Sequence, residues 1–490
     1  IYYMRNNAGS LTGTLNINNN TFASVSHALT STTAHWFIYN LASEANTNIN
    51  NNNWNNLTIN SSGAFYLIYN SSSTQVALNV NNNGITTGLS RGAAPAGTLY
   101  CYYAGSSSLG TSTQTISNNN FSNITATTAG TGLFYGIYTS DGAAAPYPKK
   151  EIFNNTFNNI NYNASSLFYG LYVSYLGDGT SAQGSRVYNN VFSNISGGFS
   201  TSYIIYPGGI ASATQPAKFY GNSVLNFTSS NATGSIYGIY ASASTTAPYV
   251  EIYNNKIAGL TSATTTGKIY GYYGISSAGS TQRVHNNYFG SFTATGAMTT
   301  TMPAPAMGGM WFSSTGAYNA YNNTIYLNAT STGANFSTAG LYDGATGVGI
   351  VDFRNNNVVN TSTTTGSGLR IAVQNSGTTI ANYANTSNNN NLYVGATSSS
   401  SLTYYDGTNT ALTVLNMSAL TLTDGSSVAV APTFLSTAVA NANYLHIDAT
   451  VPTQIESGGQ NMPTFYTTDF DGDIRVGNAG YTGTGGTYDI

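Results

Sequence analysis

Apolar and polar positions recur along this chain in a six-residue pattern: apolar, any, Asn, Asn, any, apolar. Clear copies are Ile116–Phe121, Ile152–Phe157, Val187–Phe192, Ile252–Ile257, Val284–Phe289 and Phe353–Val358, with variants at Phe219–Val224 and Ala320–Ile325. Weaker copies centre on Asn19, Asn51, Asn82 and Asn389. Counted from the first Asn position, successive copies lie 31 to 36 residues apart. A second pattern falls between them: Phe134-Tyr135-Gly136-Ile137-Tyr138, Phe168-Tyr169-Gly170-Leu171-Tyr172 and Ile236-Tyr237-Gly238-Ile239-Tyr240, with looser forms at Trp36–Tyr39 and Phe65–Tyr69. Such short aromatic and β-branched runs, separated by Ser/Thr/Gly turns, read as strands. No stretch carries a 3.6-residue period, which excludes helical repeats.

A repeat of this length with several short strands and no helix fits a β-solenoid coil. A propeller blade needs about 40 residues and four antiparallel strands. The pattern therefore predicts an all-β, right-handed parallel β-helix of about 12 coils over residues 1–398. Residues 399–490, where the repeat fades, are expected to form irregular terminal coils or a cap, because an open solenoid end exposes strand edges. In a solenoid each position stacks on its equivalent about 4.8 Å away. An Asn amide both donates and accepts, so it can chain along such a stack. The first Asn of each pair (Asn118, Asn154, Asn189, Asn254, Asn286, Asn322 and Asn355) is expected to form this structural ladder.

With the first Asn as position zero, position −2 is apolar and points inward, so −3 and −1 point outward. Position −3 holds Glu151, Arg186, Lys218, Glu251, Arg283, Asn319 and Asp352 in successive copies. This charge column is expected to be an exposed row of cross-coil ion pairs that fixes register, with Glu151 beside Arg186 and Glu251 beside Arg283. Position −1 holds Phe153, Tyr188, Tyr220, Tyr253, His285 and Tyr321, an expected outward stripe able to contact glycans or a neighbouring protomer.

Composition narrows the function classes. Only 6% of the residues are charged, but 13% aromatic and 41% hydrophobic content argues against disorder. A net charge of −3 gives no basis for binding nucleic acid. The single Cys101 excludes an intramolecular disulfide framework. No apolar run reaches the ~18 residues of a membrane helix. The first 399 residues hold just seven acids, Glu44, Asp141, Glu151, Asp178, Glu251, Asp343 and Asp352, and three of these belong to the charge column. A glycosidase needs two convergent carboxylates, and a β-helix lyase needs an acid cluster or a cation with a basic residue. The four His residues lack metal-ligand spacing. The reading is therefore non-catalytic: a rigid stalk, adhesin or filament subunit. A polysaccharide-binding or polysaccharide-degrading β-helix is the alternative.

The last 91 residues hold eight of the 15 acids and one base, Arg475. Asp469, Asp471 and Asp473 alternate as at the start of a Ca²⁺ loop, although Gly480 stands where an EF-hand closes with Glu. Residues 400–490 carry −7 against +4 for residues 1–399. With Ile1-Tyr2-Tyr3 reading as the middle of a strand, this predicts a longer precursor or head-to-tail contact with further copies of the chain.

The Asn-Asn core and Tyr-Gly-Ile-Tyr strands resemble the pectate-lyase-like β-helix repeats of large secreted bacterial surface proteins. Ala431-Pro432-Thr433-Phe434, Asp469-Phe470-Asp471-Gly472-Asp473-Ile474-Arg475 and Tyr488-Asp489-Ile490 resemble the closing segment of β-helix cargo of the type IX secretion pathway. The resemblance implies an extracellular or cell-surface location. It also implies a family that includes adhesins, surface proteins and polysaccharide enzymes.

Overall fold

The structure is a computed structural model describing residues 1–7, 9–74, 76–105, 111–141, 147–178, 183–210, 215–243, 249–300, 304–462, 464–482 and 485–490. The chain is 51% strand and 2% helix, and its stacked parallel coils form a β-solenoid of about 11 turns. Twelve corners, eleven held by Asn and one by Gly221, bound eleven complete intervals, hence one turn fewer than the dozen expected. The chain forms two compact units, Ile1–Val250 and Glu251–Ile490. The last parallel strand, Ser401–Tyr405, lies just beyond residue 398.

In unit 1 the coils give one strand to each of three parallel sheets, and the first three coils add a short strand after the corner, Thr21–Ala23, Asn53–Asn55 and Gly84–Ile85, which form a small parallel sheet of their own. One coil shows the plan. Lys149–Phe153 leads into the Asn corner, Thr156–Ala164 leaves it, and Leu167–Leu176 belongs to the Tyr-rich sheet. Register is held position for position, with Ile152 opposite Val187 and Val187 opposite Phe219. These −2 side chains are fully buried, as are Phe121 and Phe157 from the sheet beyond the corner. Phe157 and Phe192 stack with centroids 4.7 Å apart. The Gly of the Tyr-rich motif makes room for this stack. A Cβ on Gly136 or Gly170 would strike the Phe157 or Phe192 ring from across the coil, and the carbonyl of the next coil as well.

Unit 2 repeats the plan. Thr281–His285, Ala317–Tyr321 and Ile350–Arg354 pair in parallel before the corner. Tyr288–Gly290, Thr324–Leu327, Asn357–Asn360 and Asn391–Tyr393 pair after it. The helix Val414–Thr421, capped by the Thr413 side chain, follows the last parallel strand, Ser401–Tyr405. Residues 399–490 were expected to be terminal coils or a cap. Residues 401–428 close the final coil, with Val428 bridging Asn391. Much of the rest instead runs back along the flank of unit 2.

The pair of asparagines divides its labour differently from expectation. The first Asn is not the buried ladder. Asn118, Asn154 and Asn189 each have φ 54°, Asn254 and Asn286 52°, Asn322 48° and Asn355 54°. This left-handed conformation is one that Asn tolerates better than other residues bearing a Cβ. It turns the chain at the corner and breaks the in–out alternation, so the next residue points inward. The second Asn is therefore the ladder. In unit 1, Nδ2 of Asn52, Asn83, Asn119, Asn155 and Asn190 donates to Oδ1 of the next Asn at 2.8–2.9 Å. Its other hydrogen goes to a carbonyl of the preceding coil, as in Asn155 to Ile116 at 2.9 Å. Each Oδ1 also accepts the backbone N–H of the Asn before it, as in Asn119 to Asn155 at 3.1 Å. Unit 2 continues the pattern from Asn255 through Asn287, Asn323 and Asn356 to Asn390 at 2.9–3.0 Å. There Asp424 Oδ1 accepts the last amide at 3.0 Å.

Candidate functional site

The outward columns beside the corner form one flank in each unit, and the two flanks differ. In unit 1, Phe153, Tyr188 and Tyr220 are half-buried and stack ring on ring at 4.8 Å, tilted by 6° and 1°. The −3 column runs Glu151, Arg186, Lys218 in register. Glu151 accepts from Arg186 Nε at 2.9 and 3.1 Å and lies 2.9 Å from Lys149 Nζ. The bond to Glu151 leads the causes that hold the Arg186 guanidinium above its ordinary range. The column is not the exposed row expected: Glu151, Glu251 and Asp352 are only 6%, 7% and 7% accessible. Large neighbouring side chains and long cations fold over these short acids. Asp352 takes its cation from its own strand, accepting from Arg354 at 3.0 and 2.6 Å, while Tyr321 at 2.9 Å and Thr386 at 3.0 Å donate to it from the neighbouring coils. Arg283 lies over the Phe465 ring, 5.4 Å from its centroid.

In unit 2 the flank is covered, so the stripe is not outward throughout. His285 is 5% and Tyr321 2% accessible. The cover is the C-terminal segment, which we call the strap. It lies on the corner asparagines in reverse order. Asn389 donates to Gly458 O at 2.9 Å and Asn355 to Gln460 O at 2.8 Å. Asn286 donates to Thr468 O at 2.8 Å and Asn254 to Phe470 O at 3.1 Å. Asn322 donates to Asp489 O at 2.7 Å and accepts from the Tyr466 hydroxyl. Five successive corner amides thus bond backbone carbonyls. The aromatics follow: Tyr466 stacks on His285 at 4.6 Å, Phe465 meets Tyr321 edge-on at 5.1 Å, and Phe470 stacks on Tyr288 at 4.0 Å. Met462, Tyr466 and Tyr488 close an apolar cluster around Tyr321.

The alternating acids take part in the strap's folding. Asp469 Oδ1 accepts the backbone N–H of Asp471 at 3.0 Å and of Asp473 at 2.9 Å, while Asp471 bonds His446 at 2.8 Å. Burial raises the Asp469 carboxyl above its ordinary range. Among the described residues no three His, Cys, Asp or Glu side chains converge as a metal site would require.

A larger surface feature was visible in the sequence only as strand motifs. In unit 1 the Tyr-rich sheet carries two parallel ring columns. One runs Trp36, Tyr66, Tyr100, Tyr135, Tyr169, Tyr203, Tyr237, with centroids 4.8–5.7 Å apart. The other runs Tyr39, Tyr69, Tyr103, Tyr138, Tyr172, Tyr206, Tyr240, spaced 4.8–5.2 Å. Burial and the neighbouring phenols push the Tyr66 hydroxyl up to about 12. Because neighbouring rings lie nearly parallel, each covers its neighbour's face, and edges and hydroxyls are left outward.

Compared with family models, curated proteins and solved structures, the chain finds no significant match. No helix among the described residues is long and apolar enough to cross a membrane.

Proposed function

We propose that this chain is a non-catalytic structural or adhesive β-helix of a secreted or cell-surface protein: a rigid stalk, adhesin or filament subunit. The finer kinship, to pectate-lyase-like repeats in type IX secretion cargo, rests on the sequence motifs alone. The observation that carries the reading is that polar and aromatic groups are used up by their own equivalents one coil away. The second-Asn amides satisfy each other, the Tyr rings cover each other's faces, and Glu151 and Asp352 are held by cations. Such ladders make each unit stiff and self-satisfied. A sugar stacks on a free ring face, so rings stacked on one another favour a scaffold over a polysaccharide platform.

The test is turnover. Incubated with plant, algal and animal polysaccharides, the purified chain should release neither reducing ends nor unsaturated products. Release that disappears on replacing one acid, such as Asp352→Asn or Asp469→Asn, would replace the scaffold reading with the enzyme alternative.

A further inference from the structure

Unit 2 shows what the corner flank binds when it is covered: an extended segment whose carbonyls take the corner amides and whose aromatics lie on the ring column. Unit 1 carries the same flank uncovered. Asn118, Asn154 and Asn189 hold the same left-handed φ of 54° and are exposed. A lateral bond joins two of them, Asn154 Nδ2 to Asn118 Oδ1 at 3.2 Å. In unit 2 the equivalent bond, Asn355 to Asn322 at 3.2 Å, coexists with donation to the strap. An amide has two hydrogens, so the lateral bond does not prevent docking. Beside these amides stand Phe153 and Tyr188, with ring edges outward, as Tyr321 presents itself to Phe465.

We propose that the unit 1 flank formed by Asn118, Asn154, Asn189, Phe153 and Tyr188 is a docking rail for an extended polypeptide strand supplied by a separate chain. The strand has the chemistry of the strap. It offers backbone carbonyls in step with coils about 4.8 Å apart and aromatic side chains directed onto the ring column. It also carries acids, because Arg186 and Lys218 border this flank with Glu151 as the one acid of the column within unit 1. In the strap of unit 2, Tyr466, Thr468 and Phe470 reach successive coils in two-residue steps. A strand rises at most ~6.8 Å in two residues, enough to cross one coil spacing with a small sideways offset. The recognition is mainly to backbone, as in other strand-addition sites, with specificity from the rings. This rail would exist whether the chain is a scaffold or an enzyme.

The probe is a fluorescein-labelled peptide of residues 456–476, titrated by anisotropy into the full 490-residue chain. Gly is the clean substitution at the rail, because Gly221 already holds this corner with φ 63°. Asn154→Gly with Asn189→Gly keeps the turn and removes the amides. Saturable one-to-one binding is expected, weakened at least tenfold by that pair and separately by Tyr188→Ser, and unchanged by Asn286→Gly. Absence of saturable binding, or equal binding of a scrambled peptide, would overturn the proposal. So would affinity that responds to Asn286→Gly but not to the unit 1 variants, because the peptide would then only be exchanging with the resident strap. Displacement of the peptide by a polysaccharide that itself loses affinity in the Asn154→Gly/Asn189→Gly chain would assign the flank to glycan and overturn it equally.

Discussion

The two units are built from one repeat, yet they use its outward face differently. In unit 1 the coils are nearly uniform. Two Tyr columns run through seven coils, and the corner asparagines stand in solvent. In unit 2 uniformity lapses. At the register of the Tyr columns stand Gly308, Ala339 and Ile371 in one and Trp311, Tyr342 and Gln374 in the other. There the corner asparagines are covered by the strap. The difference shows what each Asn of the pair does. The second is indispensable in both units because it closes a buried network. The first is a turn residue in both, and binds another segment only where one is supplied.

The buried acids sharpen this contrast, and here the largest effect is expected. In unit 1, Asp141 meets Lys150 Nζ at 3.1 Å and accepts from Gln114 as well. In unit 2, Asp343 is fully buried, its Oδ1 accepts from Ala345 N at 3.0 Å, and its Oδ2 has no partner among the described residues. Desolvation pushes its carboxyl up to about 8 from 3.8. The folded chain therefore holds a proton that the unfolded chain has released, and unfolding sheds it. The stability is complete below about pH 4 and is lost as the pH rises towards 8, a span on the order of 5 kcal/mol. Hydrogen exchange in residues 338–345 should quicken over this range beyond the intrinsic pH effect, while residues 134–139 follow the intrinsic effect. Asp343→Asn should flatten the unit 2 response. A response that persists in that variant assigns the pH dependence elsewhere.

The ladder should break alike in both units. Asn155 accepts from Asn119 N and Nδ2 at 3.1 and 2.8 Å and donates to Ile116 O and Asn190 Oδ1, both at 2.9 Å. Asn155→Ala leaves those buried groups unpaired, at 1–3 kcal/mol for the worst of them, so a total of about 3–5 kcal/mol is expected. Asn323→Ala removes the equivalent bonds in unit 2. Urea midpoints for the two variants should fall together. A much smaller loss in unit 2 would mean that the strap, not the ladder, holds that unit.

Much of this fold is legible in the sequence because a solenoid repeats its interior. The −2 column, from Ile116 to Phe353, is read directly from the spacing and is buried throughout. The role of each Asn is not, because strand alternation fails at a left-handed residue. Counting straight through the corner puts the first Asn inside, whereas φ near 54° turns it out and sends its neighbour in. The strap leaves no periodic trace. Its contacts join residues from 69 to 216 apart, as Asn389 with Gly458 and Asn254 with Phe470, and nothing in a segment read alone says which flank it will lie on. The exposed stripe was misplaced for the same reason: His285 and Tyr321 are outward on their strands and then covered. The Tyr columns follow from the motif once the coils are stacked, since identical outward residues must meet at the coil spacing.

A smaller effect separates the corner asparagines. Asn154→Gly should be nearly neutral, because Gly accepts positive φ and the lost amide is solvent-exposed. Asn322→Gly keeps the same turn but loses the bonds to Asp489 O and Tyr466 Oη. Each is a hydrogen bond worth about 1 kcal/mol, so the variant should lose about 1–2 kcal/mol. Limited proteolysis should then cut within residues 458–475 faster in the Asn322→Gly chain than in the Asn154→Gly chain. Equal rates would show that the aromatics alone hold the strap.

The smallest effect concerns the charge column. Glu151 is shielded on one side by Arg186 and on the other by Lys149, and it is Arg186, one-third accessible, that connects the pair to solvent. Partial exposure of one partner screens the attraction, so Glu151→Gln should lose only about 0.5–1 kcal/mol. The loss should shrink further in 1 M salt, where the Debye length is about 3 Å. Asp352 in unit 2 is held differently, by Arg354 from its own strand together with Tyr321 and Thr386. Asp352→Asn keeps an acceptor for the hydroxyls but not the charge for Arg354. If the columns add only this small stability and do not set register, both variants should retain the native strand register, with Ile152 opposite Val187 and Ala320 opposite Phe353. A disulfide engineered across each of those pairs would then form as readily as in the parent chain. Slower or mispaired closure in the Glu151→Gln chain would make the ion pair a register device in unit 1. The unit 2 chain should close normally, because there the strap pins the coils from outside.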